Sequence, residues 1–176
     1  PILQGGSDWP SVLLERAGQV DPEAGIEAAE AAGAWEAYGS AVTNLSPEAL
    51  IALVSESGLR GRGGAGFSTG RKWRDCASQP VQQRYVVANG FEADPGAQVD
   101  RTLMELDPHV LLEGILITCW AIGAHACYIY IRGEYESTRV VLQAAIDEAY
   151  AAGWFGPDVA GSGWACDVTI HRGAGA

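Results

Sequence analysis

Two hydrophobic periods alternate along the chain. Ser46-Pro47-Glu48-Ala49 joins a capping serine, a proline at the first helical position and an early carboxylate, which together open a helix. Leu50, Ile51, Leu53 and Val54 give its apolar face, and Gly58 closes it in the left-handed conformation. Residues 84–89 are a short apolar run bounded by turn formers, which predicts a buried strand. Residues 110–123 predict a long buried helix, which Leu103 to Asp107 either continue into or stand just before. Residues 126–131 predict a second strand, 134–152 a second long helix and 165–171 a third strand. Upstream, helix formers over 11–17, 22–32 (capped by Asp21) and 35–42 predict shorter helices, after a loosely held arm over 1–10. Strands alternating with long helices imply an α/β fold with a mostly parallel sheet. A helical segment (1–57) precedes it, and the sheet domain runs over 58–176.

Composition sharpens this picture. A length of 176 residues suits one globular core, and 48% hydrophobic against 19% charged residues excludes a disordered chain. A net charge of −11 argues against nucleic acid as a partner. The apolar run from 110 to 124 is broken by Glu113 and reads as a buried helix, so direct membrane insertion is not expected. Cys76, Cys119, Cys127 and Cys166 form no C-x-x-C pair, which predicts reduced, mostly buried thiols and no metal site.

Against that acidic background one stretch stands apart: Gly58-Leu59-Arg60-Gly61-Arg62-Gly63-Gly64-Ala65-Gly66-Phe67-Ser68-Thr69-Gly70-Arg71-Lys72-Trp73. Dense glycines let backbone N–H groups crowd an anion, and the cations add charge for phosphate or carboxylate. Gly61, Gly63 and Gly66 satisfy G-x-G-x-x-G, but a helix precedes them, so an ordinary dinucleotide turn is disfavoured. A flexible surface loop is the competing reading. Phe67 could stack on a flat heterocycle.

Ligands of open α/β sheets sit beyond the carboxyl ends of the strands. The first strand runs there into Asn89-Gly90-Phe91-Glu92-Ala93-Asp94-Pro95-Gly96. Asn89 offers both a donor and an acceptor, and Glu92 and Asp94 could accept from ribose, ribityl or carboxamide groups. A solvated acidic turn accounts for this segment equally well. Magnesium is compatible with the two carboxylates, but no histidine lies near them in sequence. His109, His125 and His171 show no metal or triad spacing and read as structural, and Gly66-Phe67-Ser68-Thr69-Gly70 lacks the setting of a nucleophile elbow.

Taken in order, several motifs resemble the family of flavin- and NADH-binding subunits of respiratory complex I (51 kDa type), whose relatives include the diaphorase subunits of NAD-dependent formate dehydrogenases and NAD-reducing hydrogenases. The resemblance runs from about residue 21 to 176. It rests on the glycine stretch from Gly58 to Phe67, Thr69-Gly70 with Lys72-Trp73, Asp100-Arg101 and Asp107-Pro108-His109. Ile131-Arg132-Gly133-Glu134-Tyr135 and His171-Arg172-Gly173-Ala174-Gly175-Ala176 complete it.

The resemblance implies a Rossmann-like domain that binds FMN and NAD(H), hydride transfer between them, and iron–sulfur electron-transfer subunits as partners. It implies backbone contacts from Gly61, Arg62, Gly63, Gly64, Ala65 and Gly66, Phe67 stacked on adenine, and Lys72 near the nucleotide. Asn89 and Glu92 would address the flavin, with Glu92 and Asp94 as the catalytic carboxylates. A cytoplasmic location is implied, peripheral on the inner membrane face within a complex. The family continues into a flavin-completing segment and a [4Fe–4S] domain whose cysteine ligands are absent from these residues, so the chain is expected to be the amino-terminal part of a longer protein. That absence also favours an alternative, a non-catalytic scaffold within such a complex. Phe91, where an acidic residue is usual, and Ser68, where proline is frequent, lean the assignment towards a formate dehydrogenase or hydrogenase relative.

Overall fold

The computed structural model describes residues 13–174. Its centre is a sheet of three parallel strands in sequence order: β1 (Tyr85–Gly90), β2 (Ala126–Arg132) and β3 (Asp167–Gly173). Two helices, α5 (Val99–Leu106) and α6 (Pro108–Ile122), cross from β1 to β2, and α7 (Glu136–Ala151) crosses from β2 to β3. Parallel crossovers are right-handed in nearly all proteins, so successive crossovers in one direction lay their helices on one face of the sheet.

Burial follows that rule. Cys127, Ile129, Ile131 and Val168 point under the helices and are buried, whereas Tyr85, Val87 and Tyr128, on the opposite face, are 51%, 62% and 40% exposed. Among the described residues no helix covers that second face.

The upstream helices are α1 (Ile26–Ala31), α2 (Glu36–Asn44) and α3 (Pro47–Glu56), followed by α4 (Thr69–Ala77). The predicted α3 is present with its cap, the Ser46 hydroxyl accepting from the Ala49 N–H at 3.2 Å, and with Gly58 at φ 71° just past its end. Helices α2, α3 and α4 all pack on α6, and Trp35 and Tyr38 share one hydrophobic cluster with Leu112, Leu116, Ile129 and Leu142. Trp35 stacks on Trp154 at 5.1 Å and sits edge-on to His109 at 6.1 Å.

Two expectations need correction, and one helix lies outside them. The helix expected over 11–17 is not formed: residues 13–20 are turns closed by a bridge between Ala17 and Val20, and residues 11 and 12, like the arm over 1–10, fall outside the described part. The helix expected over 22–32 is two pieces, a 3-10 turn at Pro22–Ala24 and then α1, because Gly25 between them adopts φ 84°. Helix α4 is not among the expected elements. Its apolar stripe is only Trp73, Cys76 and Ala77, too narrow to stand out, although Ser68 is a cap signal.

Candidate functional site: a glycine loop and an acidic turn on one strand

Residues 58–68 leave the end of α3, double back and enter α4. Arg60 and Ser68 form the neck, the Gly61 N–H donates to the Phe67 carbonyl at 2.8 Å, and the Thr69 N–H donates to the Leu59 carbonyl at 3.0 Å. The Arg60 guanidinium donates to the Gly66 carbonyl at 2.9 Å and braces the loop from inside. Gly64 and Gly66 have φ of 118° and 60°, so the turn itself asks for glycine there. Gly63 has no such φ and a Cβ built on it would meet nothing within 4 Å; at Gly61 the nearest atom would be 3.7 Å away. The protein's own packing does not require glycine at these two positions, whereas a ligand pressed against the backbone would.

Helix α4 is held at three points. The Ser68 hydroxyl accepts from the Arg71 N–H at 3.4 Å. Gly70 crosses α3 at Ser55. The Arg84 guanidinium, one residue before β1, donates to the carbonyls of Cys76, Ala77 and Gln79 at the far end. The amino end of α4 carries Arg71 and Lys72 and no acid in its first turn. Cations at a helix amino end oppose the helix dipole, an arrangement an anion would relieve.

Arg71 pairs with Asp75 at 3.7 Å and lies 5.7 Å over the Phe67 ring, and Arg74 donates to the Ser55 hydroxyl at 3.1 Å. Among the described residues Arg62 and Lys72 have no carboxylate within ion-pair distance. Lys72 is also the single lysine of the 176 residues, a feature legible in the sequence.

Two cavities open along β1. One, of about 320 Å³, is lined by Gly61, Phe67, Thr69, Lys72, Trp73 and Tyr85, so the loop, the aromatic ring and the lysine do converge. The second, of about 260 Å³, lies at the carboxyl end of β1, lined by Asn89, Gly90, Asp100, Leu103, Met104 and Ile129. Val87 lines the first and Asn89 the second, and two strand residues advance the chain by only roughly 7 Å.

Near the carboxyl end of β1, Asn89 is exposed and its Oδ1 accepts from the Phe91 N–H at 3.0 Å, which leaves its amide donors for a ligand. Glu92 is half-buried and turned back into the protein. Its Oε1 accepts from the N–H groups of Val99 (2.7 Å) and Asp100 (3.2 Å), and its Oε2 from that of Arg101 (3.3 Å). The carboxylate thus caps α5, with one of about four acceptor positions left over. Burial, with the Glu92 charge beside it, pushes the Asp100 carboxyl above the usual range. Asp94 is exposed, and among the described residues it has no ion-pair partner.

The groups read as structural have structural partners. His109 is buried with Nε2 3.1 Å from Glu148, His125 Nδ1 lies 2.7 Å from the Ala165 carbonyl, and His171 stacks on Tyr130 at 5.6 Å. All four cysteines are free, three of them buried, and the described residues contain no cluster suited to a metal. No described helix is long and apolar enough to cross a membrane.

Sequence reasoning missed Arg132 and Tyr135 as parts of the acidic turn. Both donate to the Glu92 carbonyl, at 3.2 and 3.4 Å. The Ile131–Tyr135 motif was the available signal, but nothing local tied it to a turn 40 residues away.

Residues 54–176 match the family of the complex I 51K proteins, described as the Nuo51 FMN-binding domain. An NADH-quinone oxidoreductase subunit of Rickettsia bellii (strain OSU 85-389) is 45% identical over 151 residues, covering 86% of this chain and 36% of that protein. Its counterpart in Aquifex aeolicus (strain VF5) is 47% identical over 144 residues, covering 82% and 33%. Among solved structures, a chain of an NAD+-reducing [NiFe]-hydrogenase in the H2-reduced state superposes with a TM-score of 0.67 at 36% identity, covering 74% of this chain and 22% of that one. The chain therefore spans about a third of the curated relatives it matches. With loop and helix end sharing a cavity with β1, the acidic turn following that strand, and a match over 54–176, the chain belongs to the complex I 51K (Nuo51) FMN-binding family.

Proposed function

We propose that this chain supplies the flavin- and nicotinamide-binding face of an NADH:acceptor oxidoreductase, in which hydride passes between NAD(H) and FMN. FMN, when bound, supplies the step from two-electron to one-electron transfer. The protein's part is placement. The loop from Gly61 to Gly66, with Arg62 and Ala65 between the glycines, offers backbone N–H groups to a phosphate-bearing ligand. Phe67 offers a face for adenine, and Lys72 a positive charge at the amino end of α4. Asn89 presents its amide donors at the strand end, and Asp94 its free carboxylate towards the nicotinamide. Glu92 stands beside them as a fixed charge with one acceptor position to spare. Partners of the reading are iron–sulfur subunits of a multisubunit complex, which would exchange electrons with the flavin at the cytoplasmic face of a membrane or in solution.

The observation that carries the reading is the pair Gly61 and Gly63, glycines at which an added Cβ would meet no clash, beside Arg62 and Lys72, which pair with no carboxylate among the described residues. The names of the relatives favour a complex I-type or hydrogenase-type protein; a formate dehydrogenase relative rests only on Phe91 and Ser68. A non-catalytic scaffold is the second reading, favoured by the uncovered sheet face carrying Tyr85, Val87 and Tyr128.

One experiment separates the two. The native complex containing the chain is purified, FMN is released by denaturation and quantified, and NADH oxidation is followed with ferricyanide. One FMN per copy and NADH-dependent turnover are expected; a complex without flavin and without turnover would establish the scaffold instead.

A further inference from the structure

The acidic turn is held from two directions. The Glu92 carboxylate caps α5, while its backbone carbonyl receives the Arg132 guanidinium at 3.2 Å and the Tyr135 hydroxyl at 3.4 Å. Arg132 is the last residue of β2, and Tyr135 sits at the amino end of α7. The two donors are themselves locked. Arg132 pairs with Glu134 at 2.5 Å and lies over the rings of Phe91 (5.8 Å) and Tyr135 (5.6 Å). Arg101 also lies against the Tyr135 ring, at 5.3 Å. Arg101 returns to α7 through Ser137 (3.2 Å) and through Glu105 (3.0 Å), whose carboxylate also accepts from the Thr138 hydroxyl at 2.6 Å.

The contacts close a ring: turn, α5, α7 and the end of β2, then back to the turn. Glu92 is the residue of the turn on which they converge, and Asp94 is two residues further on, its side chain without an ion-pair partner among the described residues. A rigid Glu92 fixes where the Asp94 backbone starts, and the turn is finished by the Ala97 N–H donating to the Asp94 carbonyl at 3.1 Å.

We infer that Arg132 and Tyr135 are positioning residues, which set the acidic turn through the Glu92 carbonyl and so aim Asp94 at the bound nicotinamide. The inference rests on the proposed function for what Asp94 faces. Neither side chain needs to touch substrate. A single hydrogen bond to a neutral carbonyl contributes little of a domain's net stability, so releasing one loosens the turn without unfolding the protein.

The test uses the assembled complex carrying Tyr135→Phe, Arg132→Lys or both, with Glu134→Gln as the control that removes a partner of Arg132 but no contact to the turn. Hydrogen exchange of residues 93–101, FMN content, NAD+ binding by flavin difference absorbance, and KM and kcat for NADH are measured. Each single variant should retain its FMN, exchange faster over 93–101, and raise KM and the NAD+ dissociation constant roughly 2- to 10-fold. The double variant should cost more than the product of the two singles, because each donor alone can still hold the shared oxygen.

Unchanged exchange and unchanged nucleotide affinity in complexes that keep their FMN would overturn the inference. So would losses that merely track lost FMN or a lower melting temperature. If the unmodified complex binds neither FMN nor NAD+, it is the proposed function that has failed, and this inference falls with it.

Discussion

Gly70 of α4 and Ser55 of α3 meet backbone to backbone: a Cβ on residue 70 would lie 2.6 Å from both Cα and N of Ser55. This crossing sets the distance between α3, from which the glycine loop departs, and α4, which it enters. A packing detail away from any ligand thereby governs the span of the loop.

Gly70→Ala should therefore harm both stability and site. Forcing a methyl into a filled contact costs typically about 1–3 kcal/mol. A lower urea midpoint with reduced FMN content is expected. Wild-type stability would mean that α4 slides freely on α3.

At the loop, Gly63→Val is a cleaner probe than Gly64→Val, because Gly64 has φ 118° and a valine there is strained whatever it meets. Gly63→Val should leave stability towards urea within about 0.5 kcal/mol of wild type while nucleotide binding is lost. Gly64→Val should lose binding too. Retained NADH oxidation in Gly63→Val would remove the loop from the site.

Lys72→Ala should weaken nucleotide binding by about 1.5–3 kcal/mol, the range for a hydrogen bond to a charged group, or roughly 10- to 150-fold. Because no other lysine exists in these residues, an amine-directed acylating reagent reports on it directly. Bound NADH or FMN should protect Lys72 from labelling, as read by peptide mass spectrometry. Equal labelling with and without ligand would place Lys72 outside the site.

A pH dependence follows from His109. Burial holds its imidazole below the ordinary range, against the opposing pull of Glu148, Asp107 and Glu30. The unfolded chain takes up a proton at about pH 6.5, where the folded chain still refuses it. Stability is thus full above about pH 6.5 and falls as the pH drops towards the folded value. Urea unfolding between about pH 7.5 and 5 should show this loss, and His109→Asn should flatten it. Parallel slopes in the two proteins would count against a neutral buried His109.

The order of strands and long helices, the α3 cap and its Gly58 stop, and the types of residue at the site could all be read from the sequence, because they depend on neighbours a few positions away. Strand residues 84–89 and 126–131 bring their own period and turn formers. The glycine stretch announces itself by composition. What escaped depended on distant partners. Helix α5 starts at Val99 because Glu92, seven residues upstream across a turn, caps it, whereas only Leu103 to Asp107 was legible as leading into α6. Helix α4 is fastened by Ser55 and Arg84, on other elements, and its own apolar stripe is thin. The division of labour between Glu92 and Asp94 was equally invisible. Two carboxylates two residues apart look alike in sequence, and the fold alone turns one into a helix cap and leaves the other free. Local patterns record propensity and periodicity, but a hydrogen bond between the end of β2 and a turn 40 residues earlier exists only once the crossover through α5 and α6 has brought the two together.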